Sequence, residues 1–178
     1  MSSLIPWAAW INICFLRRAP QDVAHSPALA RNMVLLSVLI DAMLVYLAER
    51  EQAVAVVLIS LAFLLALPWL LLNLTGHQAR YAQTLAALAG TGLVFGLLLL
   101  PLVLIWNLAG PLQPNEQPSA LHVALFFVQI GLNAWRLMTV AHILRHAMDL
   151  RLFAAALFAI GWFILELSAS LWLQSGTQ

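Results

Sequence analysis

Lysine is absent from this chain, and all eight of its basic residues are arginine. Charge of either sign is scarce, 8% of 178 residues against about 25% in soluble domains. That shortage excludes a soluble globular domain. With a net charge of +1 and no basic patch interleaved with aromatics, it gives nucleic acid no footing. Cysteine occurs once, at Cys14, which excludes an intrachain disulfide and a Cys-based metal site. No serine or cysteine nucleophile sits in a recognisable motif, and neither a Gly-rich phosphate loop nor an acidic metal cluster is present. The chain is therefore expected not to be an enzyme, with no catalytic residue, cofactor or metal.

What is abundant is apolar sequence: 63% hydrophobic residues, with a mean hydropathy of +0.94. Several runs reach the roughly 18–20 residues that cross a bilayer. The expectation is an all-α integral membrane protein, a bundle of five spans at residues 32–48, 53–74, 84–108, 120–144 and 152–173. Residues 1–31 form an N-terminal interfacial amphipathic helix and a cytoplasmic connector, and 174–178 a polar tail. The apolar stretch at 4–16 is too short to span, since roughly 13 residues reach only about 20 Å. It also lacks the preceding basic residues and cleavage site of a signal peptide. Trp7, Trp10, Arg17 and Arg18 suit a helix lying at the headgroups. Pro20 and Pro27 break the connector that follows. Cys14 reads as an inert apolar residue, with S-acylation beside Arg17 and Arg18 the lesser alternative.

The arginines set the orientation. Arg17, Arg18, Arg31, Arg80, Arg145 and Arg151 fall on one set of alternating loops, and Arg50 with Glu49, Glu51 and Glu116 on the other. By the positive-inside rule the N-terminus is cytoplasmic and the C-terminus periplasmic, in a bacterial inner membrane. Arg17, Arg18, Arg80, Arg145 and Arg151 are expected to meet lipid headgroups.

The stretch from Leu121 to Leu152 carries the most unusual chemistry. Gln129, Asn133 and Arg136 stand at i, i+4 and i+7, one polar stripe on a helix that His122 extends by a heptad. A formal charge inside such a helix costs roughly 2.5–3.5 kcal/mol even on a permissive insertion scale, so the stripe must face protein or water. Asp41 and Arg136 both lie about 13 Å from the cytoplasmic ends of their spans, at 1.5 Å per residue. An ion pair between them would offset part of the desolvation, the alternative being that Arg136 snorkels or meets backbone carbonyls alone. Glu166 lies in the outer half of the fifth span, and burial without function is its plainer reading. His142 and His146 share a helix face without an HExxH pattern, so solvated headgroup histidines outweigh a metal pair. Gly92 and Gly96 have the spacing of a small-residue packing face.

The five spans and the proline-broken lead-in RAPQD at 18–22 resemble the Yip1 family of small multispan membrane proteins. So do the transition NLTGHQARYAQTLAALAG at 73–90 and the helix pair LNAWRLMTVAHILRHAMDLRLFAAALFAIGW at 132–162. The DLYGP-type motif and long polar N-terminal domain of eukaryotic members are absent, so their Rab GTPase partners do not carry over. The resemblance implies a non-enzymatic scaffold or accessory protein that organises partner proteins or lipids. The expected partners are membrane lipids, joined by a membrane-protein partner or a second copy of the chain. The alternative is a small oligomeric transporter or channel whose polar path is lined by Asp41, Gln129, Asn133, Arg136 and Glu166.

Overall fold

The structure, a computed structural model, describes residues 7–48, 52–110 and 117–175. The expected outer-loop charges Glu49, Arg50, Glu51 and Glu116, the first six residues and the end of the tail lie outside the described residues. Six helices follow one another: α1 (Trp7–Cys14), α2 (Pro27–Ala48), α3 (Ala53–Leu74), α4 (Tyr81–Ala109), α5 (Ala120–Ala147) and α6 (Leu152–Ser175). There is no strand among the described residues. Five of the helices, α2 to α6, are long and apolar enough to cross a membrane. The chain is thus an all-α protein built for multiple membrane passes.

The second helix starts five residues before the expected position 32, for a local reason. Pro27 opens the helix instead of breaking the connector, because a proline preset to helical φ and lacking an N–H suits the first turn. Ser26 caps that turn, its Oγ accepting from the Leu29 N–H at 3.2 Å. Pro68, inside α3, is buried, and one turn before it the Leu65 carbonyl accepts the Tyr81 hydroxyl at 3.1 Å, tying α3 to the start of α4.

The long helices close into a ring. Helix α2 packs on α3 and α4, α3 on α6, α6 on α5, and α5 back on α4, while α3 also packs on α4 across the ring. Helix α4 is the most enclosed, with every residue from Thr84 to Thr91 buried. Its small residues let neighbours approach closely. The Trp10 indole occupies the space a side chain at Gly90 would take, and the Ile40 side chain does the same at Gly96. Gly92 has nothing within 4 Å of that position. The expected Gly92/Gly96 packing pair is therefore divided: Gly96 and Gly90 pack, and Gly92 faces open space.

Residues 7–23 are strapped across α4 and α5. Trp10 and Ile13 are wholly buried, Ala9 and Cys14 nearly so. The Cys14 carbonyl accepts from Trp135 Nε1 at 2.7 Å and Thr139 Oγ1 at 3.3 Å. Leu16, at φ 60°, turns the chain out of α1. Gln83 Nε2 then donates to the carbonyls of Gln21 (3.3 Å) and Val23 (3.0 Å). Because the Arg18 carbonyl can only accept, His142 Nε2, 2.9 Å away, is the N–H that donates to it.

Helices α5 and α6 bury a cluster between them near their connecting turn. Ala141, Leu144, Ala147, Ala155 and Ala159 form a buried cluster there, with Leu72 and Met148. Beyond Ala159 no described residue of α6 is buried. The small alanines let the two helices touch closely at the turn.

Candidate functional site

A cavity of about 240 Å³ is bounded by α3, α4, α5 and α6. Its walls are largely apolar and aromatic, with Phe95, Leu137, Val140, Trp162 and Phe163 among them. Thr91, Asn133, Arg136, Glu166 and Ser170 supply the polar groups. A smaller pocket of about 40 Å³ adjoins it, sharing Leu64, Leu88, Gly92, Arg136, Trp162 and Glu166, and adding Ser37, Asp41 and Ser60. The open face of Gly92 is a wall of both. Both lie between helices, and the larger is partly open, since Arg136, Phe163 and Leu167 in its lining are exposed.

Three charged side chains converge here from α2, α5 and α6. Asp41 sits within electrostatic range of both Arg136 and Glu166. No salt bridge under 4.0 Å joins Arg136 to either carboxylate among the described residues. The expected Asp41–Arg136 pair is thus a shared cavity with charges apart, and Arg136 is exposed to that space. Glu166 has one firm partner: Ser60 Oγ donates to its Oε1 at 2.7 Å. Asn133 is turned toward its own helix, Nδ2 donating to the Gln129 carbonyl at 3.0 Å.

The rest of the α5 stripe separates by depth. Gln129 faces a different pocket, about 500 Å³, with Ala48, Trp106, Asn107 and Phe126. His122, one turn into α5, joins the helix cap. Its Nδ1 lies 2.8 Å from Ser119 Oγ and its Nε2 3.1 Å from the Gly110 carbonyl, so Nε2 is the donor. One helix face therefore serves three environments. Sequence reasoning missed Ser60 and Trp162. A signal for Ser60 existed: it lies seven residues after Ala53, and Asp41 seven before Ala48, so a tight hairpin sets them at one depth.

The arginines expected at headgroups also separate. Arg80 reaches across to the end of α5, Nη1 donating to the carbonyls of His146 and Ala147 at 3.2 Å each and to Asp149 Oδ2 at 2.8 Å. That answers the open carbonyls and negative dipole end of α5 with a cation. His77 Nε2 lies 3.2 Å from the same carboxylate oxygen. The hydrogen bond from Arg80, then its charge and that of His77, hold the Asp149 carboxyl below the usual carboxylate range despite some desolvation. Arg17, Arg18, Arg145 and Arg151 are exposed, with the Arg17 guanidinium 5.6 Å from the Phe15 ring centroid. His142 and His146 stack edge to face at 4.6 Å, and no group of three metal-ligating side chains exists among the described residues. Burial pushes the Cys14 thiol up to about 11, which leaves it unreactive at neutral pH.

Fold and site together define a class: a polytopic all-α chain suited to the membrane, with a charged cavity between its helices. Comparison with protein-family models, with curated proteins and with solved structures found no match.

Proposed function

We propose that this chain binds and passes a small charged solute through its ring of helices, as a transporter or channel. The observation that carries this reading is Arg136. A guanidinium at membrane depth, with no carboxylate within 4.0 Å among the described residues, opens into a cavity of about 240 Å³. Intramembrane ionisable groups that line a cavity are the usual signature of a substrate or ion path. A scaffold or accessory role, the first expectation from sequence, has less to draw on. Of the two small residues offered for contacts, Gly92 and Gly96 of α4, Gly96 is already filled by Ile40 of the same chain. The Yip1-like resemblance contributes only the non-enzymatic, multispan architecture to this reading.

The membrane is a bacterial inner membrane, with the N-terminus cytoplasmic and α1 seated near the headgroups. Supporting this orientation, the Arg18 carbonyl accepts from His142, and Arg80 and Gln21 both donate to the His146 carbonyl, at one end of α5. Arg145 and Arg151 flank that end.

The test is current on solid-supported proteoliposomes challenged with small organic cations, anions and amino acids. The expected result is a signal in wild type that Arg136→Gln and Glu166→Gln each abolish, while Asp149→Asn keeps it. Silence across all three solute classes, or a fixed protein partner retained in mild detergent by all these variants, would overturn transport.

A further inference from the structure

The placement of charge between the helices narrows the solute. Two carboxylates, Asp41 and Glu166, face one guanidinium, Arg136, and these are the only charged side chains among the described residues lining either part of the cavity. Asp41 borders only the smaller pocket, whereas Arg136 and Glu166 line both. Glu166 is the one carboxylate of the larger pocket among the described residues. Its Oε1 is held by Ser60, and its other oxygen has no hydrogen-bond partner among the described residues. The surrounding wall is aromatic and apolar, with Trp162, Phe163 and Phe95 beside Leu137 and Val140. Carboxylate and ring faces both favour a cation, and the ring faces do so more strongly when water is excluded.

From this juxtaposition we propose that the larger pocket takes an organic monocation with an apolar body, its charged centre at Glu166 and its body among Trp162, Phe163 and Phe95. The inference rests on the reading of the cavity as a ligand site. Size agrees: an apolar cavity of about 150 Å³ holds benzene, so about 240 Å³ holds a ring with a small ammonium group.

The probe is benzyltrimethylammonium, whose charge does not titrate. It is compared with its neutral isostere neopentylbenzene and with the anion benzenesulfonate. Binding to the purified full chain in nanodiscs at pH 8 is read by tryptophan fluorescence and calorimetry. The cation is expected to bind at least tenfold tighter than either comparator. Glu166→Gln should lose that preference, Glu166→Asp should keep most of it, and Arg136→Gln should tighten cation binding by removing the opposing charge. The last arm answers the objection that a variant has merely lost its fold, because a misfolded chain does not gain affinity. Benzenesulfonate binding tighter than the cation, and lost in Arg136→Gln, would overturn the monocation while leaving the cavity a ligand site. Failure of all three probes to bind would overturn the ligand site as well.

Discussion

Gly90 and Gly96 are held small by what lies against them. A methyl at Gly90 would enter the buried Trp10 indole, and one at Gly96 would meet Ile40. Gly90→Ala and Gly96→Ala should each lower the melting temperature in detergent. The overpacking cost of about 1–3 kcal/mol exceeds the ~1 kcal/mol that alanine adds in helix propensity. Gly92→Ala should be neutral or stabilising, because nothing stands within 4 Å. Equal melting of all three variants would refute the packing described. Asp149 gives a second residue-scale prediction. It sits at φ 53° and carries the Arg80 and His77 contacts, and asparagine tolerates the same backbone. Its carboxyl is depressed in the folded state, so its contribution is present above the unfolded value of about 3.9 and is lost as pH falls through the folded value. Asp149→Asn should therefore melt below wild type at pH 7, with a gap that closes under acid. The side chain is 60% exposed, so the gap will be small. A gap that widens in acid would contradict the sign.

At the scale of elements, the buried α5–α6 cluster lies near their turn. Ala155 is fully buried in it, and Ala169, two turns from the end of α6, is half-buried. Ala155→Leu should cost about 1–3 kcal/mol by forcing the helices apart. Ala169→Leu should cost far less, and thermal melts of the two variants make the comparison. The N-terminal strap is a second such case. Its residues look like a surface segment in sequence, because the two tryptophans, the arginine pair and the prolines are typical of headgroup anchors. The burial of Trp10 was not legible. It depends on Gly90, eighty positions later, leaving a hole of the right shape. Trp135 and Thr139 complete the seat by donating to Cys14, and Trp135→Phe should cost about 1 kcal/mol for the lost hydrogen bond.

At the scale of the whole molecule, orientation is the property most open to direct measurement. A C-terminal alkaline phosphatase fusion should be active and a C-terminal green fluorescent protein fusion dark, since only the periplasm supports the first. The reverse pattern would invert the proposed topology and place the arginine-rich end outside. Five apolar runs, their approximate ends, and the need to shelter Asp41, Arg136 and Glu166 follow from composition and length alone, because hydrocarbon accepts a helix of about 20 apolar residues and penalises each buried charge. The order of helices round the ring did not follow. Nor did the division of the α5 stripe between two pockets and a cap, the role of Arg80 at the end of α5, or the meeting of Glu166 and Arg136 in one cavity. Each of these depends on which faces of distant helices meet, and close packing between side chains far apart in the chain settles that only once all five are assembled.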